Sequence, residues 1–214
     1  MNAAELSYML GMAGTVAFAV TAVLAVIPKQ IDLFGACVMG VITAIGGGTI
    51  RDIILDVPVF WATDLNYIWV ALGSSVIAFY GNRLMSRKHI YTLMLYLDDV
   101  GVSMFVIQAA HKVIGLQFAM PLGPILLGVI TAIGGGITRD VLAGNTTLLM
   151  KRELYAVPLT LAAILYVVLI DLYPENAVPI GLCCALFAFF VRAAAIRWKL
   201  EVPGWMLAKT KQGS

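Results

Sequence analysis

The nine residues Gly40-Val41-Ile42-Thr43-Ala44-Ile45-Gly46-Gly47-Gly48 recur unchanged as Gly128-Val129-Ile130-Thr131-Ala132-Ile133-Gly134-Gly135-Gly136. The offset between the copies is 88 residues. Past the glycine triplets the match continues: Arg51-Asp52 corresponds to Arg139-Asp140, and Tyr67 to Tyr155. Ahead of them, Gly14 and Phe18 correspond to Gly101 and Phe105 at an offset of 87. One segment is therefore written twice, and what surrounds it decides what kind of segment it is.

The surroundings are apolar. Of 214 residues, 61% are hydrophobic and 12% charged, against about 45–50% and about 25% in an ordinary soluble domain. An aqueous fold is excluded. In a bilayer the backbone finds hydrogen-bond partners only within helices or closed barrels. The apolar runs here are continuous rather than alternating, which selects helices of about 20 residues. We place them at about 6–27, 32–56, 65–83, 90–111, 119–144, 153–171 and 176–198. Pro28-Lys29, Asp56-Val57-Pro58, the run from Arg83 to His89, and Tyr173-Pro174-Glu175-Asn176 supply the breaks. This gives an all-α membrane protein in one transmembrane domain, residues 1–198, with a tail at 199–214. Met1 to Ala4 lack the basic stretch of a cleaved signal peptide, so the first run reads as a retained helix.

Seven spans sort the charges. One side collects Lys29, Arg83, Arg87, Lys88, Arg139, Lys151, Arg152, Arg192, Arg197, Lys199, Lys209 and Lys211; the other holds Arg51 and Lys112. The positive-inside rule puts the rich side in the cytoplasm, the N-terminus outside and the C-terminus inside. Six or eight spans would scramble this split. The C-terminal basic cluster reads as a topology signal and an anchor for anionic lipid headgroups. A nucleic-acid role is not expected, because no soluble basic domain is present. Cys37, Cys183 and Cys184 lie in apolar runs and read as small packing residues.

Repeat one covers about 6–83 and repeat two about 90–171, with the helix at about 176–198 added. Three spans per copy force the second copy to enter the membrane upside down. This is the inverted 3+3 architecture, whose site is expected between the copies at discontinuous helices. Predicted helices two and five carry the triplets. Three successive glycines weaken a helix and let another backbone or an ion come close. If the helices kink and break there, freed carbonyls form the negative ends of half-helix dipoles. With the hydroxyls of Thr43, Thr49, Thr131 and Thr138, they would suit a cation. The alternative is close helix packing through small residues; the duplication favours the break.

Arg51-Asp52 and Arg139-Asp140 follow one turn later. Ionisable groups within spans usually face the protein interior and mark pathways. Inversion puts Arg51 toward the outer half and Arg139 toward the inner half, as two gates, with the partner of each arginine left open. The alternative is an arginine snorkelling at a helix end. Asp98, Asp99 and Lys112 are further candidates for gating or pairing. Asp98 or Asp99 would pair an arginine or hold a cation, or else both would sit at the cytoplasmic interface beside Arg87, Lys88 and His89. His111 and Lys112 read mainly as interfacial. No phosphate-binding loop, metal-protease cluster or other enzyme constellation is found, and no metal site is expected beyond the permeant cation.

The string Gly46-Gly47-Gly48-Thr49-Ile50-Arg51-Asp52, followed by Pro58-Val59-Phe60-Trp61, resembles the trimeric intracellular cation (TRIC) channel family in its short prokaryotic form. Gly134-Gly135-Gly136-Ile137-Thr138-Arg139-Asp140 fits the same pattern, and Asp98 or Asp99 with Gly101 and Phe105 looks like the family's fourth helix. The resemblance covers about residues 6–198. It implies seven helices, a homotrimer, a pore in each protomer lined by helices two and five, and permeant monovalent cations, chiefly K+, with K+ or Na+ bound and no other cofactor. The short tail after Trp198 implies a prokaryotic plasma membrane. Thr49-Ile50 becomes Ile137-Thr138 in the second copy, which breaks a symmetric ring of threonines. Two other functions compete: a secondary transporter of a small solute such as an amino acid, since relatives are suggested to move glycine, and a membrane scaffold whose glycines only pack helices.

Overall fold

A computed structural model describes residues 2–82, 87–151 and 154–201. The basic residues Arg83, Arg152, Lys209 and Lys211, and the side chains of Arg87 and Lys88, lie outside the described part. The described chain forms α1 (Ala3–Val26), α2 (Leu33–Ile54), α3 (Phe60–Thr63), α4 (Asn66–Gly81), α5 (Arg87–Gly115), α6 (Leu122–Leu142), α7 (Ala156–Leu172) and α8 (Ala177–Trp198).

Local signals set the boundaries. Asn2 and Glu5 form a capping box at the start of α1, each side chain taking the other's backbone N–H, which satisfies donors that a helix start leaves free. Asp32 caps α2 by accepting from the N–H of Gly35 at 2.8 Å. The predicted helices one to seven correspond to α1, α2, α4, α5, α6, α7 and α8. The four-residue α3 was not expected, and α5 runs on to Gly115.

Among the described residues, five helical stretches are long and apolar enough to cross a membrane: Ala3–Lys29, Leu33–Ile54, His89–Gly115, Leu122–Leu142 and Pro174–Trp198. The helices α4 and α7 are shorter, at 16 and 17 residues. Large apolar side chains face outward, among them Phe34 at 77% exposure and Ile77 at 74%. A water-soluble monomer does not present so much apolar surface; lipid accepts it.

The core is built on α1 and α5, packed antiparallel. The Cβ position of Gly14 lies against the ring of Phe105, and that of Gly101 against the ring of Phe18. The two rings meet at 5.3 Å between centroids. The residues matched between the repeats thus pack on each other reciprocally. Glycine makes the recess that each ring fills. Phe105→Ala is expected to empty one recess and cost about 3–5 kcal/mol, read as a lower melting temperature in detergent.

Candidate functional site

The glycine triplets mark the crossing of α2 and α6. A Cβ on Gly47 would collide with the carbonyl oxygen of Thr131, and one on Gly135 with that of Thr43. The Cβ position of Gly134 is 3.2 Å from the Cα of Gly47. Backbones approach this closely only where the side chain is absent. Both helices run uninterrupted through their triplets. The expected break, with its freed carbonyls, is therefore replaced by a backbone-to-backbone crossing. The physical reason is that tertiary contact uses the missing side chains, while the helical hydrogen bonds stay satisfied.

The remaining glycines line the edges of the crossing. The Cβ position of Gly46 lies 3.8 Å from the hydroxyl of Thr138, while Gly48 abuts the ring of Phe60. The Cβ position of Gly136 lies 3.2 Å from the hydroxyl of Tyr155 and 3.3 Å from Oδ1 of Asp98. Thr131 donates to the Leu127 carbonyl at 2.6 Å and Thr138 to that of Gly134 at 2.8 Å. Thr49 donates to the Ile45 carbonyl at 2.8 Å and accepts from the indole N–H of Trp61 at 2.9 Å. Thr43 is buried and its hydroxyl has no hydrogen-bond partner among the described residues. The four threonines are thus not equivalent.

On each side of the crossing sits a buried arginine with the aspartate that follows it. Arg51 donates through Nε to Oδ1 of Asp52 at 2.8 Å and through Nη1 to Oε1 of Gln108 at 2.8 Å. The Lys112 ammonium also reaches Oδ1 of Asp52, at 2.8 Å. Oδ2 of Asp52 accepts from the backbone N–H of Phe60 at 2.9 Å. The second copy repeats the design. Arg139 donates through Nε to Asp140 and through Nη1 to Asp98, both at 2.8 Å. Oδ2 of Asp140 accepts from the N–H of Leu148 at 3.2 Å. Phe60 and Leu148 are themselves 88 positions apart. The sequence left the pairing of arginines and aspartates open; each arginine takes its own neighbour plus one residue of α5.

Both of those α5 partners, Asp98 and Gln108, lie on one helix ten residues apart. At 1.5 Å per residue the clusters are separated by about 15 Å along α5, with the crossing between them. They differ in charge. Around Arg51 the extra partners are neutral Gln108 and cationic Lys112; around Arg139 the extra partner is anionic Asp98.

For Asp98 and Asp99 the structure takes one of the two alternatives, pairing with arginine, and the reading of Arg192 changes. Asp98 and Asp99 are fully buried rather than interfacial, because they face cations inside the bundle. Arg192, read above as part of the C-terminal lipid anchor, is only 2% exposed. Its guanidinium lies 3.6 Å from Asp98 and 3.5 Å from Asp99 and 4.2 Å above the ring of Tyr155. A signal existed: Arg192 falls inside an apolar run, where a charge usually turns inward. His111 is half-buried, with Nδ1 2.9 Å from the hydroxyl of Tyr166. Gln108 was missed because a single amide in a span carries no pattern.

Below the Arg139 cluster opens a cavity of about 510 Å³, lined by Lys29, Tyr91, Asp140, Asn145, Thr146 and Lys151 among others. Asp140 is among its lining residues; Asp98 and Asp99 are not.

Fold and site define a class: helical membrane proteins built on a duplicated unit, with an arginine–aspartate pair buried on either side of a glycine crossing. The chain belongs to the TRIC channel family of this class, in its prokaryotic form. A family model described as "Glycine transporter" matches residues 8–83 and again 95–171, one match per repeat. The chain is 37% identical over 206 residues to the inner membrane protein YadS of Escherichia coli K12, covering 94% of this chain and 97% of that one. It is 35% identical over 207 residues to a membrane protein of Vibrio cholerae, covering 96% and 85%. Both relatives carry the UPF0126 designation. Among solved structures, the TRIC channel orthologue from Rhodobacter sphaeroides superposes with a TM-score of 0.84 at 33% identity, covering 91% of this chain and 98% of that one. A prokaryotic TRIC channel solved in 0.5 M KCl gives 0.85 at 27% identity, covering 92% and 99%.

Proposed function

We propose that this protein is a cation channel of a prokaryotic plasma membrane, permeable to potassium. Each protomer of a homotrimer carries its own path, running beside the α2–α6 crossing and controlled by the Arg51 and Arg139 clusters. One observation carries this reading: the two buried arginine–aspartate pairs stand about 15 Å apart on opposite sides of a crossing too tight for any side chain. Charges within a span cost free energy and are kept for pathways. Each aspartate neutralises its arginine, so exchange of these partners opens or closes the route to a cation. The half-buried Gly46, Thr49, Gly134 and Thr138 lie along the edge of the crossing and are the surfaces a K+ or Na+ would touch. The solved relatives are cation channels by description, which supports this reading and a non-enzymatic role.

In this reading α1, α2, α4, α5, α6, α7 and α8 all span, as an inverted 3+3 repeat plus α8. The N-terminus lies outside and the C-terminus in the cytoplasm. Support comes from the charge split: with Arg51, Arg139 and Arg192 buried inside the bundle, ten of the remaining eleven basic residues share one side. Arg197 and Lys199 at the end of α8 suit anionic headgroups.

A second reading is glycine transport, favoured by the description of the family model that matches each repeat. Planar-bilayer recording in asymmetric KCl separates the two. The expected result is unitary currents reversing near the potassium equilibrium potential. Silent bilayers together with saturable glycine counterflow in liposomes would overturn the channel.

A further inference from the structure

The buried charges around Arg139 do not balance. Arg139 and Arg192 supply two positive charges; Asp98, Asp99 and Asp140 supply three negative ones. Asp98, Asp99 and Arg139 are completely buried, and Arg192 and Asp140 are 2% and 3% exposed. A net charge left in such a place is costly. Either a proton or a small cation must accompany the cluster.

We propose that the cluster holds one exchangeable proton, seated on the carboxyl of Asp99. Three observations place it there. Asp98 has a strong partner, with Arg139 donating to its Oδ1 at 2.8 Å. Asp99 has only weak ones: Arg192 at 3.5 Å, without a hydrogen bond, and the Ser103 hydroxyl at 3.3 Å. Oδ2 of Asp99 and Oδ2 of Asp98 are both buried with no hydrogen-bond partner among the described residues. A proton on Asp99 removes the excess negative charge and requires no volume. A potassium ion needs space, and among the described residues neither the cavity beside Asp140 nor the one between Tyr96 and Arg197 is lined by Asp98 or Asp99.

The pair's neighbours on α6 are Arg139 and Asp140; Tyr155 at the start of α7 lies beneath Arg192 of α8; α5 itself adds Ser103. The titratable residues of α1 are Glu5 and Tyr8 in its first turns. Those turns lie at the other end of the antiparallel pair, where Leu6 and Ser7 share a small cavity with Gln108 and His111. The first repeat lacks the equivalent carboxylates: at the offset of 87 residues that relates α1 to α5, Asp98 and Asp99 correspond to Gly11 and Met12. Losing the proton gives the inner cluster one net negative charge, which attracts a cation to that side.

The inference rests on the geometry of the cluster and not on conduction, so its test is spectroscopic. Infrared spectra are taken of the full chain in liposomes, with all aspartates isotopically labelled at the carboxyl carbon. The wild type is expected to show an isotope-shifted protonated-carboxyl band near neutral pH. Asp99→Glu should replace it by an unshifted band, and Asp99→Asn should remove it. Absence of a protonated carboxyl in the wild type overturns the proposal and leaves a cation as the counter-charge. Survival of the shifted band in Asp99→Glu overturns it equally. Silent bilayers would sink the channel reading while leaving these bands untouched.

Discussion

Arg139→Met is expected to be the most damaging single substitution in this protein, and clearly worse than Arg51→Met. Arg139 holds two buried carboxylates, Asp98 and Asp140, at 2.8 Å each. Removing one partner of a buried pair costs about 3–5 kcal/mol, because the other charge stays behind unpaired. Here two are left behind: Asp98 keeps only the longer contact to Arg192 at 3.6 Å, and Asp140 keeps the Leu148 N–H but no cation at ion-pair distance among the described residues. Total stability in a protein of this kind is typically about 5–15 kcal/mol, so the variant should lose most of its folded fraction. Arg51→Met strands only Asp52, which keeps Lys112 at 2.8 Å and the Phe60 N–H. Melting curves in detergent, followed by size-exclusion recovery, give the ranking. The double variant Arg139→Met with Asp98→Asn should recover part of the loss, since one stranded charge is gone. Equal damage from the two arginines, or no recovery in the double variant, would show that the clusters are not organised as described.

Gly47→Ala and Gly135→Ala should each disrupt the α2–α6 crossing. In an isolated helix the change is favourable by about 1 kcal/mol. In this protein the new methyl group meets a backbone carbonyl oxygen of the opposite helix, which cannot rotate away as a flexible side chain would. Overpacking of this kind costs about 1–3 kcal/mol, occasionally more, and outweighs the gain. Gly73→Ala and Gly81→Ala are the controls. A Cβ there meets nothing within 4 Å, and these variants should be neutral or slightly more stable. The functional reading adds a second measurement. A channel should lose unitary current in Gly47→Ala while a detectable trimer remains, whereas a scaffold should lose assembly in step with stability. A Gly47→Ala protein as stable and as conductive as the wild type would refute the crossing itself.

Much of this architecture is legible in the chain. Two identical nonapeptides with the same Arg-Asp sequel establish the duplication without any coordinates. The matched offset marks Gly14 with Phe18 and Gly101 with Phe105 as equivalent pairs, while the packing of each glycine on the other copy's ring is seen only in the structure. The role of the triplets was harder. Glycine permits both a broken helix and a close crossing, and its own chemistry does not choose between them. The choice depends on whether another helix arrives at the exposed backbone, and α6 does. Arg192 illustrates the same limit. Counted along the chain it belongs with Arg197 and Lys199, but in space it turns inward to Asp98 and Asp99, where α8 packs against α5.

The sequence by itself determined the medium, the helices and the two-copy plan, because continuous apolar runs have a single solution in lipid and identical segments fold alike. Only the tertiary structure decided which charges meet. Asp98 and Arg139 are 41 residues apart, and Asp52 and Lys112 are 60 apart. No local rule connects such pairs. In a low-dielectric interior an ion pair is defined by which helix faces which, and that is settled by packing.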